Sequence, residues 1–265
     1  LSLGNQVTAN SSACSTGTEA IIEGFQRIRA GLAERMLCGG SEGPSHYNWA
    51  GFDAMRVLCR AHNDEPEKGA RPMSASAGGF VPGSGAAVLH IESLESAQGR
   101  GARIYAEILG GAINCGGHRG GGSMTAPNPE GVQQCIRTAV AAAAIDPEEI
   151  DAISGHLTAT GADPKEMASW AKGLDRSPET FPVITSTKSM IGHALGAAGA
   201  LEAVALALSL QKALIPPTAG YVTPDPDMPP VNLVTGAPCP WEPAPSLSNS
   251  FGFGGHNGTI VMGPA

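Results

Sequence analysis

Apolar positions along this chain recur with two periods, about 3.6 residues in some segments and two in others, so helices and strands are expected to follow one another. Over 15–32 the apolar residues Ile21, Ile22, Phe25, Ile28 and Leu32 fall on one face of a helix, directly after a strand end over 8–14. Cys14 thus falls at a strand-to-helix junction. The apolar run 35–40 suits a buried strand, and after a loop over 41–48 a second helix runs to residue 56. Glycine and apolar residues alternate over 80–94, as in a strand that turns and continues into another.

From residue 102 the pattern begins again, after a boundary at Gly99-Arg100-Gly101. Strands are predicted over 104–109, 150–155 and 183–186, helices over 129–144, 164–173 and 193–214, and closing strands around 231–234 and 246–261. Alternating strands and helices predict an α/β layered sheet with helices on its faces. The 115–128 loop holds five glycines. It is expected to be a surface connection, with a lid over a pocket as the alternative.

Composition narrows the classes. A length of 265 residues supports one large domain or two moderate ones. Thirty-six glycines and only 5% aromatics imply elements that pack closely or backbones that approach a ligand. The six cysteines lie far apart and form no C-x-x-C pair, which suggests neither a zinc site nor a disulfide framework and fits a reducing cytoplasm. A net charge of -8 argues against nucleic acid, which asks for clustered Lys and Arg. No apolar run approaches the roughly 18 residues of a membrane span, and the opening Leu1-Ser2-Leu3-Gly4 lacks the features of a signal peptide.

Two groups of residues carry candidate chemistry. Cys14, in Ala13-Cys14-Ser15-Thr16-Gly17, precedes a helix whose free N–H groups and dipole favour a thiolate and can cradle an oxyanion. A small buried hydrophobe is the competing role for a single cysteine. His193, in Lys188-Ser189-Met190-Ile191-Gly192-His193, and His156, followed by Thr158 and Thr160 beyond a strand end, supply imidazoles and hydroxyls where α/β sheets place ligands. A satisfied core histidine is the alternative for His193.

Taken together, these segments resemble the thiolase-fold condensing enzymes, in particular the 3-oxoacyl-acyl carrier protein synthases of types I and II. The resemblance runs nearly end to end, through the Cys14 segment, Asn63-Asp64, Arg71-Pro72, Gly79-Phe80-Val81, His156-x-Thr158-x-Thr160, Ser186-Thr187-Lys188-Ser189-x-x-Gly192-His193, and Asn249-Ser250-Phe251-Gly252-Phe253-Gly254-Gly255. It implies a layered αβαβα fold of two similar halves, with 1–101 the tail of an incomplete N-terminal half and 102–265 the C-terminal half. On this reading a preceding segment is missing.

The resemblance also implies roles. Cys14 matches the acyl-accepting nucleophile, and the N–H groups of Cys14 and Phe253 match the oxyanion hole. His156 and His193 match the imidazoles that hold the malonyl thioester carbonyl during decarboxylation. Lys188 matches a lysine that pairs with a carboxylate at the position of Glu166. Thr158 and Thr160 match hydroxyls that hold a phosphopantetheine arm, and Phe253 a gating aromatic. Neither metal nor redox cofactor is implied, the substrates riding on the phosphopantetheine of acyl carrier protein. A homodimer is implied as well. The alternative is a non-condensing acyl- or carrier-binding protein, such as a chain-length partner subunit. Because such carriers are acidic, Arg27, Arg29, Arg35, Arg56 and Arg60 are candidates for a basic docking patch.

Three segments depart from the pattern. The usual Asn-Ala-His-Gly-Thr run reads Ser154-Gly155-His156-Leu157-Thr158, the acidic positions before Gly-Phe-Val are lost in Met73-Ser74-Ala75-Ser76-Ala77-Gly78-Gly79, and His256 replaces a Thr. These bear on substrate choice more than on the reaction.

Overall fold

The structure is a computed structural model that describes residues 4–229 and 231–265, so the opening Leu1-Ser2-Leu3 lies outside it. The first part of the chain gives α1 (Thr16–Arg29), β1 (Arg35–Glu42), α2 (His46–Ala54), β2 (Gly85–Glu92) and the short α3 (Leu94–Gly99). The second gives β3 (Glu107–Cys115), α4 (Pro129–Ala143), β4 (Ala152–Ser154), α5 (Asp163–Leu174), β5 (Val183–Thr185), α6 (Lys188–Ile191) and α7 (Ala198–Lys212). It closes with β6 (Leu214–Ile215), β7 (Cys239–Pro240), β8 (Ser246–Gly252) and β9 (His256–Gly263).

A five-stranded mixed sheet in the order β3-β9-β8-β4-β5 forms the centre. Its middle strand β8 is buried at every residue, because helices cover both faces. Leu247 and Phe251 join the cluster built on Val132, Cys135, Ile136 and Trp170 of α4 and α5. The alternate residues Ser248 and Ser250 point the other way, and Ser250 Oγ lies 2.7 Å from Thr18 Oγ1 of α1. Period-two alternation in β8 thus sorts large side chains to one layer and small ones to the other.

The small side is needed because α1 and α7 come close there. A Cβ on Gly17 would meet Ala200 N at 2.7 Å, and one on Gly199 would meet Thr18 Oγ1 at 1.9 Å. Ile21, Ile22, Ala203, Leu206, Ile260 and Met262 fill the space between these helices and the sheet. β1 and β2 form a separate antiparallel pair beside them. Among the described residues no helix is long and apolar enough to cross a membrane.

The helix starts follow local chemistry. Asn128 caps α4 through its side chain, Pro129 occupies the first turn, and the apolar face 132, 135, 136, 139, 140 repeats at helical spacing. Several predicted elements change shape. The helix expected over 193–214 starts later, as α7 at Ala198 after a 3-10 turn at Leu195–Ala197, and Leu195 takes a positive φ of 44°. The 80–94 segment yields one strand, β2, and the 231–234 segment contributes only an isolated bridge between Leu233 and Ile184. No strand covers 8–14, where Ser12 and Cys14 carry isolated bridges.

Candidate active site

Cys14 sits in a tight turn before α1. Ala13 takes φ of 49°, Ser15 N donates to Ser12 O at 3.0 Å and Thr16 N to Ala13 O at 3.2 Å. Ser15 Oγ then ties this turn to the end of β8 by donating to Ser250 O at 3.2 Å. Gly252 is required there, since a Cβ would meet Ser12 O at 2.3 Å. The nucleophile turn and the closing motif are therefore held against each other by the Ser15 hydroxyl and by close approach of backbone.

The thiol faces histidine. Cys14 Sγ lies 3.1 Å from His193 Nε2, and the His193 ring meets that of His156 edge-on with centroids 5.2 Å apart. His193 is carried by the bend after α6, where its N–H donates to Val81 O at 2.7 Å and Gly83 N donates to its own carbonyl at 2.9 Å. His156 follows β4. Phe80 packs edge-on against His193 at 5.3 Å and Phe251 against His156 at 5.5 Å.

Burial sets the protonation states. It holds both imidazoles well below their usual value, with the Lys188 charge adding to the effect, so both rings are neutral. It also pushes the Cys14 thiol up to about 12; the Lys188 charge opposes the rise, while Glu202 and Glu42 reinforce it. The thiolate expected from the position before a helix gives way to a protonated thiol, because desolvation outweighs the local dipole. His193 Nδ1 has no hydrogen-bond partner among the described residues, so nothing fixes which ring nitrogen carries the proton.

Lys188 corrects an expectation. Its Nζ lies 3.3 Å from His156 Nδ1 and pairs with Glu202, not with Glu166. Glu202 reaches it from one turn inside α7, which packs beneath the site. Glu166 instead accepts the N–H groups of His156 at 2.7 Å and Leu157 at 2.9 Å, so it holds the histidine's backbone. α5 starts below that loop, and its first turn aims both Asp163 and Glu166 at backbone amides. Asp163 accepts from Thr158 N and Met73 N, each at 3.1 Å.

Thr158 Oγ1 and Thr160 Oγ1 lie 3.0 Å apart at the rim, and Leu157, where Gly was expected, is fully buried with φ of 22°. Phe253 joins the site through aromatic contacts: it meets Phe52 at 6.0 Å, and Phe52 meets Phe80 at 5.2 Å. The N–H groups of Cys14 and Phe253 have no backbone acceptor among the described residues. Phe52, Phe80 and Leu195 surround Cys14 with apolar surface.

Sequence reasoning missed Glu202, Asp163 and Phe52. A lone acid inside the apolar run of α7 was the available signal for Glu202, since a buried charge needs a partner. Of the basic candidates, Arg60 is bound to Asp53 at 2.7 Å and Arg35 lies near Glu92, whereas Arg56 is exposed and carries no ion pair among the described residues.

A mixed α/β layer structure with a buried thiol facing two neutral imidazoles defines a Cys-His-His site. Two family models match the chain, the beta-ketoacyl synthase N-terminal domain over 3–97 and the beta-ketoacyl synthase C-terminal domain over 105–222. The chain belongs to the beta-ketoacyl synthase family. It is 42% identical over 258 residues to a chloroplastic 3-oxoacyl-[acyl-carrier-protein] synthase II of Arabidopsis thaliana, covering 96% of this chain and 46% of the relative. To 3-oxoacyl-[acyl-carrier-protein] synthase 2 of Staphylococcus aureus it is 40% identical, covering 96% and 62%.

Among solved structures it matches a type II polyketide ketosynthase in complex with its acyl-carrier protein, with a TM-score of 0.92 and 34% identity over 98% of this chain and 63% of that one. A beta-ketoacyl synthase from Burkholderia phymatum matches with a TM-score of 0.90 and 33% identity, over 96% and 60%. The fold is thus the thiolase-like fold of these ketosynthases. The chain spans about half to three fifths of the length of the relatives it matches.

Proposed function

We propose that the protein condenses an acyl thioester held on Cys14 with malonyl-acyl carrier protein, releasing carbon dioxide and lengthening the chain by two carbons. One observation carries this reading. The thiol of Cys14 stands 3.1 Å from His193, with His156 edge-on to that ring and Lys188 beside His156.

In the first half-reaction Cys14 Sγ attacks the carbonyl of the acyl-carrier thioester. The thiol is protonated, so its proton passes to His193 Nε2 as the carbon–sulfur bond forms. The tetrahedral oxyanion is held by the N–H groups of Cys14 and Phe253. It collapses with loss of the carrier's thiolate, which takes a proton from His193 and leaves as a free thiol.

In the second half, the pantetheine arm of malonyl-carrier rests on Thr158 and Thr160. His156 and His193 donate hydrogen bonds to the malonyl thioester carbonyl, and neutral rings do this without the cost of burying a second cation near Lys188. With its tautomer unfixed, His193 can accept at Nε2 in the first half and donate there in the second. The carboxylate leaves as carbon dioxide, and its bonding electrons form the enolate that the two imidazoles stabilise. The enolate carbon attacks the Cys14 thioester, the carbon–sulfur bond breaks, and Cys14 regains its proton from solvent.

Lys188 and Glu202 keep the field beside His156 fixed, and Glu166 fixes the loop that carries it. Phe253, resting on Phe52, gates the acyl pocket. The reaction uses no cofactor beyond the carrier's phosphopantetheine. We further propose a homodimer with a boundary between its halves near residue 101; six free cysteines support a reducing, cytoplasmic setting.

The test supplies octanoyl- and malonyl-acyl carrier protein together and measures carbon dioxide and the 3-oxodecanoyl-carrier product by mass. Product from the native chain and none from Cys14→Ala is the expected result. Octanoyl transfer without product would instead favour a non-condensing acyl-binding protein.

A further inference from the structure

His156 stands between a residue with no side chain and one with a large side chain in a conformation that suits glycine. Gly155 continues β4 beside β5, its N–H donating to Thr185 O at 3.0 Å. Leu157 then turns the chain with φ of 22°, and a residue other than glycine persists there only where its surroundings over-determine it. Those surroundings are apolar: Leu157 is fully buried in the cluster that contains Met73, Trp170 and Phe251.

The Leu157 side chain takes the space over Gly155. A Cβ on Gly155 would meet Leu157 Cγ at 2.8 Å, Leu157 Cδ1 at 2.9 Å and Trp170 Cη2 at 2.6 Å. Leucine and indole edge together therefore fill the volume that a methyl group at 155 would need. Trp170 is itself fully buried, with Nε1 donating to Asn249 Oδ1 at 3.0 Å. Glu166 accepts the amides of His156 and Leu157, and Ser186 Oγ donates to Leu157 O at 3.2 Å. Those bonds end on backbone atoms and do not depend on the side chain at 157, whereas the packing over Gly155 does. The same two positions depart from the usual Asn-Ala-His-Gly-Thr run, with the methyl before the histidine lost and a larger side chain gained after it.

We propose that Gly155 and Leu157 are a compensating pair of positioning residues: the Leu157 side chain, packed over Gly155 against Trp170, fixes the loop that aims the His156 ring. This rests on the condensing function proposed above. Each residue requires the other. Gly155→Ala drives Leu157 off its seat, and Leu157→Gly leaves a cavity and a backbone free to turn. The two changes together move the volume to the other side of the histidine and fill the space again.

A double-mutant cycle on the full chain tests the pair. Thermal midpoints are measured for Gly155→Ala, Leu157→Gly and the double variant, together with octanoyl transfer to Cys14 and carbon dioxide release from malonyl-acyl carrier protein on the octanoylated chain. Each single change is expected to lower the midpoint by about 5 °C or more. Leu157→Gly is expected to slow carbon dioxide release at least about tenfold, with octanoyl transfer within about threefold of native, because His156 serves only the second half-reaction. The double variant is expected to return to within about 2 °C of native and to regain release. Leu157→Met, which keeps the volume, stays near native in all three readings. Losses that add in the double variant, equal losses in the two half-reactions, or a Leu157→Gly chain as stable and active as native each overturn the pair. Where Gly155→Ala does not fold, a folded double variant is the same rescue; where neither folds, Leu157→Gly against Leu157→Met decides. If the native chain releases no carbon dioxide, the function reading fails and the midpoint cycle still judges the pair. If it condenses and the midpoint losses add, only the pair fails.

Discussion

At the scale of single residues the site is a thiol and two imidazoles whose charges are suppressed by burial. In the proposed reaction His156 serves the second half alone, because His193 and not His156 touches Cys14. His156→Ala should therefore leave octanoyl transfer to Cys14 within a few-fold of native and lower carbon dioxide release by about a hundredfold or more. Equal loss in both halves, followed by intact mass and by carbon dioxide release, would count against that division. The sequence motifs singled out Cys14, His156, His193 and Lys188, and the structure brings the four side chains together. The motifs were insufficient to name the partner of Lys188, because Glu166 and Glu202 are both single acids in helices and only packing decides which one reaches the ammonium.

At the scale of elements, α5 places two carboxylates beneath the His156 loop. Burial pushes Asp163 up to about 6 and Glu166 up to about 8, against backbone N–H groups that pull the other way. In an unfolded chain both titrate near about 4. With the folded values raised, the folded state holds protons that the unfolded state releases. The contribution to stability is full below about pH 4 and is lost as pH rises through 6 to 8. The thermal midpoint should fall as pH rises from about 4 to about 8, and Glu166→Gln should flatten the fall, most clearly above about pH 6. A slope the same in the variant and the native chain would show that Glu166 is ionised in the fold throughout.

Element boundaries were legible where a cap or a period marked them. α4 begins at Pro129 as predicted, after Asn128. The late start of α7 within 193–214 was not legible, since Ala194 and Leu195 are ordinary helix formers and the close approach of β1, where a Cβ on Gly40 would meet Gly196 O at 2.6 Å, leaves no mark on them. Likewise the glycine-rich loop was expected to be a surface connection, with a pocket lid as the alternative, and its two 2.9 Å bonds to the Phe253 turn come from backbone atoms that leave no trace in side-chain pattern.

At the scale of the molecule the question is how an acidic chain of net charge -8 would receive the acidic carrier proposed for it. Long-range attraction is not available, so docking has to rest on local unpaired cations. Arg56, exposed just after α2, carries no ion pair among the described residues, as is also true of Arg27 and Arg29, while Arg60 is taken by Asp53 and Arg35 lies near Glu92. Arg56→Glu should raise KM for octanoyl-carrier several-fold at low salt with kcat little changed, and added salt should narrow the difference. Kinetics equal to the native chain at low salt would remove Arg56 from the docking surface. The layered architecture was legible from the alternation of periods, and the order of strands in the sheet was not, because the pairing of β9 between β3 and β8 joins segments far apart in the chain.

The proposed function stands or falls on where the acyl chain is held. Octanoyl-acyl carrier protein is mixed with the full chain, the reaction is quenched in acid, and the protein is digested for peptide mass. The prediction is an octanoyl increment confined to the peptide that contains Cys14, absent in Cys14→Ala and removed on adding malonyl-carrier. An octanoyl increment on any other cysteine, or none on a chain that still makes product, would contradict it.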